Sequence, residues 1–203
     1  MSSPSPMSQF CVGTLVASKY VLTSAQCADD KDPSDLHLMI GDHDLGASGE
    51  TPLNEKRLSV QKIIIHESYH PNTKAYDIAL LETDPVDLGV YTPACLASDM
   101  YGHTFDGKVA QVTSWDSASM MLVTMDAPVV SNINCSDNMN LTITPGMVCA
   151  EIQMGVDEKE DPCKTKVGYL MVLIKSIEDF TQLTQFKYCQ CLLSGPEGKF
   201  NDF

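Results

Sequence analysis

The sequence predicts an all-β fold in which short antiparallel strands form a barrel or a sandwich. Short runs that alternate between apolar and polar residues, or that are rich in β-branched side chains, recur along the chain. Turn-forming clusters separate these runs, for example D-D-K-D-P at residues 29–33 and G-A-S-G at 46–49. No internal repeat, coiled-coil heptad or low-complexity linker interrupts the pattern, and the chain is therefore expected to be a single domain.

The expected strands form two groups along the chain. The first group comprises residues 10–15, 20–23, 36–40, 58–65 and 78–82. The second group comprises residues 109–113, 120–125, 146–150 and 168–174. Residues 177–186 are expected to form a short helix. The two groups meet near P-A-C-L at residues 93–96, which marks the expected boundary between two halves of the fold.

The charge balance excludes several classes of partner. The chain has 203 residues and a formal net charge of -14, with 13 Lys and Arg against 27 Asp and Glu. Such an excess of negative charge repels phosphate backbones and anionic lipids, so we expect no nucleic-acid or membrane partner. The longest apolar runs are also far shorter than the roughly 20 residues that a membrane-spanning helix needs.

The cysteine content indicates an oxidising compartment. Eight cysteines in a chain of this length are typical of secreted proteins, and we expect the protein to be secreted and extracellular. The first residues, M-S-S-P-S-P-M-S, lack the basic start and apolar core of a signal peptide, so residues before Met1 are expected in the natural protein. C-Q-C at 189–191 lacks a second ligand pair for zinc. No cofactor is expected.

An ordered set of segments within residues 9–163 resembles the trypsin/chymotrypsin-like serine proteases. The segments are F-C-V-G-T-L at 10–15, Y-V-L-T-S-A-Q-C at 20–27, I-G-D-H-D-L at 40–45, I-H-E-S-Y at 65–69, Y-D-I-A-L-L at 76–81, C-L at 95–96, V-T-S-W at 112–115 and P-V-V-S-N at 128–132. The resemblance implies two antiparallel β-barrels within one peptidase domain of residues 1–203. Residues 9–94 would form the first barrel without its opening strand, 95–175 part of the second barrel, and 176–203 a divergent tail.

Two catalytic positions of the family carry other residues here. The family writes Y-V-L-T-A-A-H-C, with histidine as the general base, where this chain has Gln26. An amide has no proton equilibrium near neutral pH and cannot act as that base. Val167 aligns with the nucleophilic serine of the family's G-D-S-G-G-P segment, and a valine cannot form an acyl-enzyme. Thr165 aligns with the first glycine of that segment, whose N–H helps to form the oxyanion hole.

Other residues match acidic positions of the family. Asp77 matches the aspartate that orients the catalytic histidine, and without an imidazole it is expected to be structural. Asp161 matches the acidic floor of a trypsin-like specificity pocket. It also ends an acidic stretch that is typical of a solvated loop. Asp42, Asp44 and Glu50 lie where some members bind calcium, but later ligands are out of register, and no metal site is expected.

The resemblance also implies a disulfide framework. It pairs Cys11 with Cys27 and Cys135 with Cys149, and it pairs Cys163 with either Cys189 or Cys191. Cys95 matches a cysteine that often bonds an upstream segment, so it is expected to be free or to form an intermolecular disulfide.

Two N-glycosylation sequons are present, N-L-T at 140–142 and N-C-S at 134–136. Asn140 is the expected glycan acceptor. The second sequon contains an expected disulfide cysteine and is less favourable.

These observations predict a catalytically inactive serine-protease homologue. We expect it to be a secreted binding or regulatory protein of proteolytic cascades, of the immunity or venom type, whose partners are proteases, zymogens or other cascade proteins. The alternative is an active trypsin-like endopeptidase represented by a truncated or mis-predicted gene model. A third possibility is a translated pseudogene without a stable fold.

Overall fold

The structure is a computed structural model that describes residues 11–46, 55–94, 96, 105–116, 119–139, 143–144, 146–150, 172–175 and 181–182. Within this part of the chain, ten strands form two antiparallel five-stranded sheets. The first sheet has the order β1-β2-β5-β4-β3, with strands β1 (Thr14–Ala17), β2 (Tyr20–Thr23), β3 (His37–Ile40), β4 (Lys56–Ile65) and β5 (Ala79–Thr83). The all-β class expected from the sequence is confirmed.

The second sheet has the order β10-β9-β6-β7-β8. Its strands are β6 (Val109–Trp115), β7 (Leu122–Val130), β8 (Cys149–Ala150), β9 (Val172–Lys175) and β10 (Thr181–Gln182). Two short α-helices follow strands, α1 (Ala25–Ala28) after β2 and α2 (Asn132–Met139) after β7. A 3-10 turn spans Pro33–Asp35.

The first sheet packs one face onto an apolar core. Alternation along β4 buries Leu58 and Val60, while β5 buries Ala79 and Leu81, as expected for strands with one solvated face. A β-bulge between Val60 and Lys62 shifts the β4 register opposite β5. The buried cluster comprises Leu15, Val21, Ala25, Ala28, Leu36, Leu58, Val60, Ala79, Leu81 and Val86.

Gly13 allows the chain to pass close to β2. A Cβ atom at this position would lie 2.6 Å from Cγ1 of Val21 and 3.2 Å from the carbonyl oxygen of Leu22. Val21 is a β-branched core residue that has little freedom to move. A glycine is therefore required where the chain approaches β2 just before β1.

The second sheet is organised around the long β6–β7 pair. Its register runs from Val109 opposite Pro128 to Trp115 opposite Leu122. Its small buried cluster comprises Ala110, Val112, Ala127 and Val129.

A short antiparallel contact joins the two halves of the fold. Asp44 forms an isolated β-bridge with Met121. The N–H of Leu45 donates to the carbonyl of Met120 over 3.0 Å, and the N–H of Leu122 donates to the carbonyl of His43 over 2.8 Å. The loop after β3 therefore pairs with the residues that lead into β7.

Two disulfides fasten short segments to this framework. Cys11 bonds Cys27 and Cys135 bonds Cys149, with Cα atoms 6.1 and 6.3 Å apart. These are the two pairs that the resemblance implied. Each closes a loop of about 15 residues, which stabilises by roughly 3 kcal/mol in the chain-entropy model. The first bond anchors α1 and the second anchors α2 to β8.

Several expected elements differ from the observed ones. Strand β1 begins at Thr14 rather than at residue 10, because the hairpin with β2 sets its register at Thr14 opposite Leu22. Helix α2 was not expected from its polar sequence. The helix expected over 177–186 is wrong at Thr181–Gln182, which pairs with Lys175 and Ile174 of β9.

Candidate functional site

The register of two neighbouring strands brings Gln26 and Asp77 together. Strands β2 and β5 are antiparallel, with Thr23 opposite Ala79. Gln26 follows Thr23 by three residues, in helix α1, and Asp77 precedes Ala79 by two. In an antiparallel pair, the end of one strand lies beside the start of its neighbour. The residues after β2 and those before β5 therefore lie at the same end of the sheet.

The two residues are joined through the backbone of Gln26. Its N–H donates a hydrogen bond to Oδ1 of Asp77 over 2.7 Å. The other carboxylate oxygen of Asp77, Oδ2, is buried and has no hydrogen-bond partner among the described residues. The side chain of Gln26 is exposed. The carboxylate is therefore held through one oxygen, while its second oxygen is an unused acceptor.

Asp77 contributes a carboxylate to this site, and Gln26 contributes a side-chain amide at the position where the family resemblance places a general base. The amide of Gln26 can donate and accept hydrogen bonds, but it exchanges no proton near neutral pH. A carboxylate orients an imidazole by accepting its ring N–H, and here Oδ2 accepts nothing within the described part of the chain. The pair can organise the local backbone but cannot move a proton as a His-Asp pair does.

A histidine does lie nearby, but its ring makes other contacts. The backbone N–H of His66 donates to the carbonyl of Ile78, the residue after Asp77, over 3.0 Å. Its Nδ1 accepts the N–H of Ser68 over 3.1 Å, and its ring stacks on Tyr76 with centroids 5.0 Å apart and planes at 14°. The imidazole of His66 is therefore engaged in a hydrogen bond with Ser68 and a ring stack with Tyr76.

Tyr76 lies next to Asp77 in an unfavourable backbone conformation. Its φ of 53° lies in the left-handed region, which a bulky side chain adopts only at a cost of order 1–3 kcal/mol. The ring is 54 % exposed although it stacks on His66. The sequence predicts neither the ring stack nor the positive φ, because hydrophobic periodicity carries no information about one ring contact or one dihedral angle.

Tyr69 reports a negative electrostatic environment around this site. Burial, and then the negative charges of Asp77, Asp29 and Asp30, raise the pKa of the Tyr69 phenol from 10.0 to about 12. The phenol consequently stays neutral at any physiological pH. The three aspartates come from the loop after α1 and the turn before β5, so the fold concentrates negative charge around Tyr69.

Helix α1 is held in place by covalent and polar contacts around Cys27. The Cys11–Cys27 disulfide lies one residue after Gln26, and the hydroxyl of Ser24 lies 2.9 Å from the Cys27 sulfur. Thr23, at the end of β2, is buried and donates from its hydroxyl to the carbonyl of Val12 over 2.8 Å. These contacts fix the short segment that carries Gln26.

Several expected site residues lie outside the described residues. They are Val167, Asp161, Glu50, Cys95, Cys163, Cys189, Cys191 and Asn140. Of the three acidic residues considered for calcium, Asp42 and Asp44 are half-buried, and Oδ1 of Asp44 accepts the N–H of Gly46 over 2.8 Å. The described residues contain no group of three or more His, Cys, Asp or Glu side chains placed to hold a metal ion.

No helix within the described residues is long and apolar enough to cross a lipid bilayer.

Comparisons with known proteins agree on one family. The family model for trypsin matches residues 1–165. The chain is 29% identical over 176 residues to serine protease filzig of Drosophila melanogaster, covering 80% of this chain and 10% of that protein. It is 28% identical over 189 residues to human mannan-binding lectin serine protease 1, covering 81% and 26%.

A third relative is coagulation factor IX of Oryctolagus cuniculus, which is 29% identical over 170 residues, or 78% of this chain and 59% of that protein. The chain thus spans between a tenth and about three fifths of the length of these relatives. The family match covers most of the chain, including the segments that place Gln26 beside Asp77. The chain belongs to the trypsin family of serine proteases.

Proposed function

We propose that this chain is a trypsin-family homologue that does not hydrolyse peptide bonds and acts by binding other proteins. The observation that carries the proposal is the contact between Gln26 and Asp77. The backbone N–H of Gln26 holds one carboxylate oxygen, and the buried Oδ2 has no partner within the described part of the chain. An oriented carboxylate without an imidazole cannot assist proton transfer from a nucleophile.

The sequence supplies a second and independent reason. Val167 stands where the family resemblance places the nucleophile, and its side chain has no hydroxyl. Loss of a triad nucleophile or base alone lowers kcat by about 10⁶ in serine proteases. The remaining acceleration comes from substrate binding and the oxyanion hole, and Thr165 in place of the glycine weakens that hole as well.

The proposed partners are proteases, zymogens or other components of proteolytic cascades. Two relatives support this class by name, since coagulation factor IX and mannan-binding lectin serine protease 1 each match more than three quarters of this chain. Extracellular localisation is proposed on the two disulfides of the structure, which persist in an oxidising compartment. A stable scaffold that lacks the chemistry can still present the binding surfaces of its family.

The catalytic part of the proposal is tested by hydrolysis of Lys- and Arg-containing amide substrates. The natural chain is compared with Gln26→His, with Val167→Ser and with the double variant. No turnover is expected from the natural chain or from Gln26→His, because a general base without a nucleophile forms no acyl-enzyme. Turnover by the natural chain at a rate typical of the family would contradict the proposal.

The binding part is tested with immobilised chain and a panel of trypsin-family zymogens and active proteases. Saturable binding to at least one of them is expected. The matched control is the same chain after reduction and alkylation, which removes the two disulfides and the folded surface. Equal signals from both preparations, or no signal from either across the panel, would refute a role in proteolytic cascades.

The second candidate function is that of an active trypsin-like serine endopeptidase represented here by a truncated or mis-predicted gene model. The relatives favour it, because they are themselves named as serine proteases. The retained position of Asp77 is compatible with it. The two candidates differ at Gln26, which lies within a well-matched segment. An active enzyme requires a histidine at this position in the natural transcript, and sequencing that transcript distinguishes them.

A further inference from the structure

Two asparagines at the start of α2 differ in the hydrogen bonds that their side chains form. The Nδ2 of Asn132 donates to the carbonyl of Met147 over 2.7 Å and to that of Thr144 over 3.4 Å, so it ties the helix to the segment before β8. Asn134 is exposed, and its side-chain amide makes no hydrogen bond within the described residues. Asn132 is therefore structural, whereas no contact among the described residues requires the side-chain amide of Asn134.

The position of Asn134 in the helix leaves this amide accessible. The N–H of Asn134 donates to the hydroxyl of Ser131 over 3.2 Å, and that of Cys135 donates to the carbonyl of Ser131 over 3.0 Å. Ser131 is thus the N-cap, and Asn134 lies in the first helical turn. Ile133 beside it is 74% exposed, so the first turn of α2 lies at the surface. A bulky group on Asn134 would extend into solvent without displacing core residues.

The central residue of the sequon, Cys135, determines when a glycan can be transferred to Asn134. Asn134-Cys135-Ser136 has the pattern of an N-glycosylation acceptor, but Cys135 is 6% exposed and bonded to Cys149. Transfer of a glycan requires an extended, accessible sequon. In the folded protein the sequon is helical, and its central side chain is buried in a disulfide. Glycosylation can therefore take place only before this disulfide closes.

The order of residues along the chain provides such an interval. Cys149 follows Cys135 by 14 residues, so the complete sequon emerges during synthesis before its partner cysteine does. Disulfide formation and reshuffling take seconds to hours, depending on the oxidant and isomerase, which is slow relative to synthesis at about 5–20 residues per second. The sequon is reduced and unfolded during this time.

We propose that Asn134 is an N-glycan acceptor whose occupancy is set by competition with the Cys135–Cys149 disulfide. This inference rests on the secretory route that the proposed function includes. The donor is an oligosaccharide linked through pyrophosphate to a polyisoprenol. The bond from sugar C1 to the pyrophosphate oxygen breaks and a bond from C1 to Asn134 Nδ2 forms. Nδ2 loses one proton, and the polyisoprenyl pyrophosphate leaves.

Once transferred, the glycan is compatible with the folded structure. Asn134 and Cys135 are neighbours on the helix and do not share a face, so a glycan on the exposed Asn134 does not block the disulfide of the buried Cys135. The sugar would extend over the exposed surface at the start of α2, including Ile133. Glycosylated and unglycosylated chains should therefore reach the same fold with both disulfides.

The test uses translation of the full chain with microsomes, behind a heterologous secretion signal that makes entry independent of the natural leader. All variants carry Asn140→Gln, which removes the other sequon. The comparison is between this parent, Asn134→Gln, Ser136→Ala and Cys149→Ser, with and without dithiothreitol. An engineered N-linked sequon fused at the C-terminus of every variant reports translocation. The readout is the mobility shift that endoglycosidase H removes.

The parent should show a second glycan in a fraction of chains, in addition to the reporter glycan. Asn134→Gln and Ser136→Ala should both lose this second shift. Cys149→Ser or dithiothreitol should increase the doubly glycosylated fraction, because Cys135 then stays reduced. A parent that carries the reporter glycan alone under both conditions would overturn the inference. Equal occupancy with and without dithiothreitol would overturn the competition with the disulfide. Binding to protease partners does not enter these readouts, and neither result bears on the proposed function.

Discussion

The backbone N–H of Gln26 donates a hydrogen bond to Oδ1 of Asp77 over 2.7 Å, although the residues are 51 positions apart in the chain. The contact depends on the register of β2 against β5 and on helix α1, which the Cys11–Cys27 disulfide anchors. The fold therefore brings the segment after β2 and the turn before β5 together at one end of the first sheet. Asp77 now serves the backbone of α1.

Asp77→Ala should destabilise the fold, whereas Asp77→Asn should not. Alanine removes the acceptor of the Gln26 N–H, and loss of one such exposed hydrogen bond costs about 0.5–1.5 kcal/mol. Asparagine keeps an oxygen at the position of Oδ1 and removes a partly buried negative charge. Urea unfolding of the three proteins measures the difference. If Asp77→Ala were as stable as the natural chain, the contact would have no structural role.

Gln26→His should create a His-Asp pair with the unused Oδ2 of Asp77. The negative carboxylate favours the charged imidazole, so the pKa of this histidine should lie above its usual value of about 6.5. A raised pKa in the folded state adds stability that is complete below the unfolded pKa and is lost as pH rises through the folded one. Proton NMR titration measures it. An unshifted pKa would show that an imidazole at position 26 does not reach Asp77.

The Tyr69 phenol should titrate at a higher pH than an ordinary tyrosine, and its ionisation should lower the stability of the fold at alkaline pH. Burial and the charges of Asp77, Asp29 and Asp30 raise its pKa from 10.0 to about 12. Because the folded pKa is the higher one, the stabilising effect is present below pH 10 and is lost as pH approaches 12. Absorbance at the tyrosinate band gives the titration, and Tyr69→Phe should remove its latest component. If Tyr69→Phe instead removed a component that titrates near pH 10, Tyr69 would not have the raised pKa that burial and the three aspartates imply.

Gly13→Ala should destabilise the first sheet, with Gly146→Ala as its matched control. The added methyl group would lie 2.6 Å from Cγ1 of Val21, whereas nothing lies within 4 Å of a Cβ at Gly146. Overpacking of this kind costs about 1–3 kcal/mol, while an open surface site changes stability by about 0.5 kcal/mol or less. Thermal unfolding of the two variants measures the contrast. Similar midpoints for both would mean that the chain can move away from β2.

The strands with clear alternation were predictable, and the features set by long-range contacts were not. Residues 20–23 were expected as a strand and form β2, because their pattern and the following turn are local signals. Helix α2 was not predicted, because it has no apolar stripe. Contacts of Asn132 and Cys135 with the segment at β8 stabilise it instead. The expected helix at 177–186 failed where pairing with β9 outweighed local propensity.

For the candidate site, the motifs identified Gln26 and Asp77 but not how they meet. The resemblance placed both residues at triad positions, and a contact between them follows from the family fold. That the contact uses the backbone of Gln26 and leaves Oδ2 without a partner among the described residues depends on atomic geometry. The stack of His66 on Tyr76 and the carboxylates around Tyr69 likewise arise from loops that meet only in the folded chain.

The most direct test of the central claim is labelling of the purified, disulfide-intact chain with a fluorophosphonate probe, beside active trypsin as the positive control. Such probes react only with a serine that a general base has activated. The account predicts no covalent label on this chain under conditions that label trypsin to completion. Stoichiometric labelling that is lost on prior heat denaturation, and that maps to a single serine by mass spectrometry, would contradict it.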